Sequence, residues 1–203
     1  MGANVAPQPT FTAKSDGKVR WTVELLQRAD DAGLFGPSDR YELIGGDLHI
    51  MPVPDPLHQK AVRRIVKLLR AAIAHRPDVD IDISSPVSLG ESDQPIPDVS
   101  LVRNDEDDYG GGHPTPEDTY LIVEVAHSHP EGDIKLKRLQ YAAAGLQEYW
   151  VADLQKRELL VYRKPVDGDY QVEIVWEADT IALERLPDIK IDMARLRKRL
   201  FDT

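Results

Sequence analysis

The stretch TYLIVEVA, residues 119–126, decides the fold, because it predicts a buried β-strand with one acid inside it. Strand alternation places Tyr120, Ile122, Glu124 and Ala126 on one face, and the opposite face is apolar as well, so we expect both faces to be covered. An unpaired buried carboxylate costs several kcal/mol. Glu124 therefore needs a proton, a basic partner or a metal ion, unless it reaches water at the strand end.

The surrounding segments predict a mixed sheet flanked by helices. Loops too short for a crossover helix join the first three strands of the sheet, so these strands should be antiparallel. The helix at 133–145, with Asp133 at its start and Gly145 at its end, can carry a right-handed crossover to a parallel strand. The fold class is therefore α/β with a mixed sheet: helix, three antiparallel strands, helix, parallel strand and a C-terminal β meander. The predicted strands are 79–89, 96–102, 119–126, two within 148–163, and 170–177; the other predicted elements are helices at 19–33 and 58–76, a hairpin at 41–51, and a final short strand and helix.

Composition favours a soluble globular protein in a reducing compartment. The 203 residues suit one domain, which we place at 19–203 after a flexible tail at 1–18. The absence of cysteine excludes disulfides, thiol catalysis and cysteine-bound zinc. No apolar run is long enough to span a bilayer, and the start lacks the apolar core of a signal peptide. We therefore expect a cytoplasmic protein without a membrane partner.

A second acid, Asp98, is predicted to lie close to Glu124. Asp98 begins the predicted strand 96–102, next to the strand of Glu124. Adjacent antiparallel strands can place the two side by side, roughly 5 Å apart at pairing positions. Two carboxylates that close repel each other unless a cation lies between them, and Mg²⁺ prefers such oxygen ligands.

A lysine on the next helix is the third candidate. Lys137 lies on a different side of the helix from the core residues, together with Gln140, Tyr141 and Ala144. From there it can lean over the two carboxylates, orient a water or stabilise charge on a phosphate, with Gln140 in a supporting place. The alternative is a surface pair between Asp133 and Lys137, four residues apart.

The charge of the chain is uneven. The net charge of −10 argues against a protein that coats nucleic acid nonspecifically. The predicted helix 58–76 is basic, however, and offers candidate phosphate contacts, or else a solvated amphipathic face. The candidate nucleic-acid-binding residues are Lys60, Arg63, Arg64 and Lys67.

These residues carry a family resemblance between about Tyr41 and Arg163. The segments YELIGGDLHIMPVPDPLHQKAV, PIPDVSLV and LIVEVAHSHPEGDIKLKRLQYAAAGLQEYWVAD resemble restriction endonucleases of the Uma-two type, in the PD-(D/E)XK nuclease superfamily. The resemblance implies a restriction-endonuclease-like core and metal-dependent cleavage of phosphodiester bonds, with Mg²⁺ or Mn²⁺ as cofactor and nucleic acid, expected to be DNA, as partner. A homodimer would suit paired-strand cleavage.

The resemblance also implies roles for single residues. Asp98 matches the aspartate of the family motif, Glu124 the second acid, and Lys137 a lysine moved onto the following helix, since Ala126 stands at the usual lysine position. Glu42 matches a further acid, as a second-metal or outer ligand, and His58 a histidine at the start of the helix.

The sequence departs from the family after the glutamate strand, and other functions stay open. The turn there reads HSHPEG instead of a Ser-Pro-Ser-like turn, and its His127 and His129 either touch a metal or face solvent. One alternative function is a catalytically silent module that binds nucleic acid or protein on the nuclease scaffold. Another is a metal-dependent hydrolase of small phosphate substrates.

Overall fold

Ten strands and four helices make up the part of the chain that the structure describes. The computed structural model describes residues 20–36, 39–127 and 131–201. The strands are β1 (Tyr41–Ile44), β2 (Asp47–Ile50), β3 (Val79–Ile83), β4 (Val99–Arg103), β5 (Thr119–Ala126), β6 (Glu148–Asp153), β7 (Glu158–Val166), β8 (Asp169–Val175), β9 (Thr180–Ala182) and β10 (Lys190–Asp192). The helices are α1 (Val23–Asp31), α2 (Pro56–Ala72), α3 (Glu131–Ala143) and α4 (Met193–Phe201).

A six-stranded mixed sheet forms the centre, in the order β3-β4-β5-β6-β7-β8. Strands β3, β4 and β5 are antiparallel, β5 and β6 are parallel, and β6, β7 and β8 form an antiparallel meander. Helix α3 connects the parallel pair. The fold class predicted from the sequence is therefore confirmed.

Both faces of β5 are buried, as the apolar pattern indicates. Leu121, Val123 and Val125 belong to a core that includes residues of α2 and α4. Ile122 and Ala126 belong to a second core, which includes residues of α3. The strand that carries Glu124 therefore lies between two helical layers.

Tyr120 departs from the predicted alternation. Leu101 pairs with Leu121 but Val102 pairs with Thr119, so Tyr120 is an extra residue in the β4–β5 ladder. It packs against the α2 side of the sheet, and the guanidinium of Arg185 lies 4.9 Å from its ring centre. Such a β-bulge interrupts the period of two, which is why the sequence pattern placed Tyr120 on the wrong face.

Several element ends differ from prediction because of caps and turns. Helix α2 begins at Pro56 rather than residue 58, since the Asp55 carboxylate accepts hydrogen bonds from the next free amides. Helix α3 begins two residues before Asp133, whose side chain lies outside the described part, and ends before Gly145, which has φ of 81°. Strand β3 ends at Ile83 rather than residue 89, and Ser84 follows with φ of 52°.

The β1–β2 hairpin lies apart from the large sheet and attaches to the loop before β4. Gly45 and Gly46 both have positive φ, at 57° and 79°, as a tight two-residue turn requires. Leu43 and Gln94 exchange two backbone hydrogen bonds of 3.1 and 2.8 Å. This attachment brings Glu42, beside Leu43, against the end of β5.

Some predictions are not tested by the described residues. The predicted tail at 1–18 lies outside them, and the single domain at 19–203 stays a prediction. Among the helices that the structure describes, none combines the length and the apolar character that crossing a membrane would require.

Candidate active site

The acid of β5 is paired with the lysine of α3. The Lys137 ammonium lies 3.1 Å from Glu124 Oε1 and 3.1 Å from Glu42 Oε2. Lys137 is only 6% exposed, so the alternative of a surface pair with Asp133 does not describe its environment. The consecutive elements β5 and α3 thus meet the distant strand β1 at one amine.

The hydroxyl of Tyr141 is a second donor to the same carboxylate. Tyr141 lies one helical turn after Lys137, and its hydroxyl donates to Glu124 Oε1 at 2.9 Å. Burial raises the pKa of Tyr141 well above its ordinary value, which keeps the hydroxyl protonated. The sequence places Tyr141 on the same side of the helix as Lys137, and their spacing of four residues signals this shared contact.

Burial is the main influence on Glu124. It raises the pKa of Glu124 to about 7, against the favourable charge of Lys137, and the acids Asp98 and Glu42 raise it further. Lys137 and the Tyr141 hydroxyl act in the opposite direction but do not restore an ordinary value. The site therefore binds protons readily and would ionise more readily with a further positive charge nearby.

Asp98 lies directly before β4, opposite Glu124 by extension of the Val99–Val123 pairing. Its Oδ2 accepts a 2.8 Å hydrogen bond from the amide of Val125 and lies 3.0 Å from His58 Nε2. The hydrogen bond to Asp98 is the main cause of a raised pKa at His58. His58 therefore orients Asp98 from the first turn of α2, in line with the helix-start position predicted for it.

One cavity of about 260 Å³ joins these groups. The loop after β2 and the start of α2 form one wall, while the end of β5 and the start of α3 form the other. The candidate site residues that line it are Glu42, His58, Asp98, Glu124 and Lys137. The structure thus places in one pocket the three proposed catalytic residues and two of the three supporting ones.

Gln140 lies outside this cavity. Its side-chain amide donates to Asp93 Oδ1 at 2.5 Å, and the same oxygen accepts from the amide of Gly45 at 2.6 Å. Gln140 therefore links α3 to the turn of the hairpin that carries Glu42.

The basic residues of α2 fall into two groups. Lys60 and Arg64 are half-buried and line a second cavity, whereas Arg63 and Lys67 are exposed. His127, in the turn after β5, binds Asp55 rather than the two acids, at 2.7 Å from Nδ1 to Oδ2. His129 lies outside the described residues.

The side chains of the site can be compared with the ligands that a metal ion requires. Within residues 20–36, 39–127 and 131–201, no three acidic or histidine side chains form a group that could hold a metal. Asp98 and Glu124 remain as a pair of oxygen donors, and the contacts that orient them involve Asp98 Oδ2 and Glu124 Oε1. Mg²⁺ commonly takes one or two carboxylates and completes its shell with water and substrate phosphate. The pair therefore fits Mg²⁺ or Mn²⁺ in a water-rich site.

Asp55 is a residue of the cavity that the sequence reasoning missed. It caps α2, contacts His127 and lines the same cavity as Asp98. The hydrogen bond from His127 is the main cause that lowers the pKa of Asp55 to about 2. The signal was an aspartate followed by proline before a helical pattern, which marks a helix start.

Comparisons with known proteins address the family and the fold of the chain. The profile of the Uma2 family, described as "Putative restriction endonuclease", matches residues 23–194. A crystal structure described as "a putative nuclease belonging to DUF820", from Anabaena variabilis, is 15% identical with a TM-score of 0.67, and the match covers 89% of this chain and 99% of that one. A search among curated proteins found no match. The likeness to the solved structure shows a shared fold.

Proposed function

Because the chain belongs to the Uma2 family of restriction-endonuclease-like proteins, we propose that it is a metal-dependent endonuclease that hydrolyses phosphodiester bonds of DNA. The observation that carries the proposal is the position of Lys137, whose ammonium lies 3.1 Å from Glu124 in the cavity that also contains Asp98. This arrangement suits phosphoryl chemistry, because negative charge grows on the phosphate during attack and a nearby ammonium can stabilise it.

Asp98 and Glu124 would hold the metal ion. A divalent ion bound there supplies a water of lowered pKa and a positive charge for a phosphate oxygen. His58 and the amide of Val125 fix Asp98 through its Oδ2, which orients the rest of the carboxylate. Tyr141 fixes Glu124 in the same way through Oε1.

Lys137 would position the attacking water or stabilise the charge that develops on the phosphate. Glu42 accepts from the ammonium and also from the amide of Ile96, at 3.2 Å. Glu42 therefore holds Lys137 independently of Glu124, which would be one of the two residues that hold the metal ion. In this role Glu42 is a positioning residue, which differs from the second-metal or outer-ligand role that the family resemblance implies.

Nicking of supercoiled plasmid DNA in Mg²⁺ tests the proposal. Asp98→Ala, Glu124→Ala and Lys137→Ala should each abolish nicking, while circular dichroism shows that the fold is retained. Glu177→Ala and Lys190→Ala are matched controls, because both residues are exposed and far from the cavity in sequence. Wild-type nicking by all three site variants would reject this mechanism.

A catalytically silent binding module is the second candidate. It is favoured by the pairing of Lys137 with two acids, which compensates part of the negative charge without a metal. Calorimetry separates the two candidates. A nuclease binds Mn²⁺ at a site lost in Asp98→Ala, whereas a silent module shows no such site.

A further inference from the structure

A second cavity lies beside the first, on the other side of the Asp55–His127 pair. Asp55 lines the first cavity and His127 lines the second, and their side chains are 2.7 Å apart. The second cavity has a volume of about 180 Å³. Its lining comes from α2, the turn after β5, the β6–β7 turn and α4.

The polar lining of this cavity is cationic. Lys60, Arg64 and Arg157 supply three positive charges, and no acid occurs among the described residues that line it. The chain as a whole carries a net charge of −10, so the positive charge of this cavity is opposite in sign to that of the whole chain. Such a concentration favours an anionic ligand.

The three cations come from two segments of the chain, and one of them is held in place. Lys60 and Arg64 lie one turn apart on α2, while Arg157 comes from the β6–β7 turn. The Arg64 guanidinium donates to the backbone carbonyl of Arg199 in α4. A guanidinium fixed at one nitrogen loses less conformational entropy when its other nitrogens bind a phosphate.

The floor of the cavity is apolar, which narrows the ligand class. Leu200 and Phe201 are each 8% exposed, and Leu154 is partly buried beside them. Leu57, at the rim, is 54% exposed. An apolar floor below a cationic rim suits a ligand that has both carbon surface and negative charge, such as a sugar–phosphate unit.

We propose that the second cavity binds the sugar–phosphate unit of a DNA strand adjacent to the phosphate that occupies the first cavity. The proposal rests on the proposed function, since it extends the path of the same substrate. Asp55 holds His127 through Nδ1, which leaves Nε2 as the ring nitrogen that can contact the strand between the two cavities. Lys60, Arg64 and Arg157 contact the neighbouring phosphate.

Fluorescence anisotropy of a labelled DNA duplex, in EDTA and over a range of salt concentrations, tests this assignment. Lys60→Gln and Arg157→Gln should each raise the Kd about tenfold at low salt, the effect of one charge-assisted hydrogen bond. Each should also lower the slope of log K against log salt by about 0.9, the value of one phosphate contact. Arg70→Gln is the matched control, because Arg70 is an exposed cation on the same helix that does not line the cavity.

The outcomes separate this inference from the proposed function. If Lys60→Gln and Arg157→Gln bind DNA as Arg70→Gln does, or if the wild type does not bind DNA, the second cavity is not a DNA subsite. If both variants bind more weakly as expected but the wild type fails to nick DNA in Mg²⁺, the result supports the DNA subsite and contradicts the proposed cleavage.

Discussion

At the scale of single residues, one ammonium holds two buried acids together. Lys137 lies 3.1 Å from both Glu42 and Glu124, and all three side chains are less than 15% exposed. Removing one partner of a buried ion pair leaves an uncompensated charge, which costs more than the pair contributes. The alternatives that the sequence left open for Glu124 were a proton, a basic partner, a metal ion or access to water, and the structure places the basic partner Lys137 beside it.

Glu42→Gln is expected to slow cleavage without removing metal affinity. The amide oxygen of glutamine still accepts from Ile96 but attracts the Lys137 ammonium more weakly, so the amine is held less firmly. We expect DNA nicking to fall about 10- to 100-fold, the usual effect of losing a group that orients the reacting ones. Calorimetry with Mn²⁺ should give an unchanged affinity. Glu91→Gln, an exposed position, is the control, and a nicking rate equal to that control would remove Glu42 from the mechanism.

The stability of the metal-free protein should fall as pH rises from about 4.5 to about 7. Glu124 has an ordinary pKa of 4.5 and a pKa of about 7 in the fold, because burial beside Asp98 and Glu42 outweighs the charge of Lys137. In this window the folded chain holds a proton that the unfolded chain has lost, so the free energy of unfolding declines with pH. One pKa unit corresponds to about 1.4 kcal/mol.

Urea unfolding in EDTA across this pH range measures the effect. The decline should be smaller in Glu124→Gln, which cannot ionise at that position, while Glu177→Gln should follow the wild type. Parallel curves for the wild type and Glu124→Gln would show that Glu124 ionises in the fold as it does in water.

At the scale of elements, local sequence patterns predicted whether a segment is a helix or a strand better than they predicted the residues at which it begins and ends. Strand 119–126 was predicted with its observed bounds, because its apolar residues and its glutamate both fit a buried strand. The start of α2 was missed, because the cap depends on the single side chain of Asp55 and the prediction followed the periodic pattern of apolar residues. The bulge at Tyr120 was missed as well, since it depends on how β4 and β5 pair.

Two glycines on opposite ends of α3 should respond to alanine in opposite directions. Gly145 has φ of 81° after the helix, and a Cβ there would meet no atom within 4 Å, so the cost of Gly145→Ala is conformational, about 1–2 kcal/mol. Gly132 lies inside the helix with equally open space, so Gly132→Ala should stabilise by up to about 1 kcal/mol. Chemical denaturation of both variants checks this, and equal shifts of the same sign would contradict the assigned end of α3.

At the scale of the whole molecule, the site depends on contacts that no local pattern contains. Glu42 reaches Lys137 because the hairpin exchanges backbone hydrogen bonds with Gln94, about fifty residues further along the chain. The sequence could nominate Asp98, Glu124 and Lys137, since neighbouring elements carry them. It could not place Asp55 and His127 between two cavities, because that contact spans 72 residues.

Divalent ions should stabilise the whole fold if the two acids form a metal site. A ligand that binds only the folded chain adds about 2.7 kcal/mol at one hundred times its Kd. We therefore expect Mn²⁺ to raise the thermal unfolding midpoint of the wild type, and more at pH 8 than at pH 6, since Glu124 must release its proton and has a pKa of about 7. Scanning calorimetry of the wild type, Asp98→Asn and the control Glu177→Gln, each with Mn²⁺ or EDTA, measures this. The rise should be absent in Asp98→Asn and present in the control, and a rise of equal size in all three proteins would place the ion elsewhere.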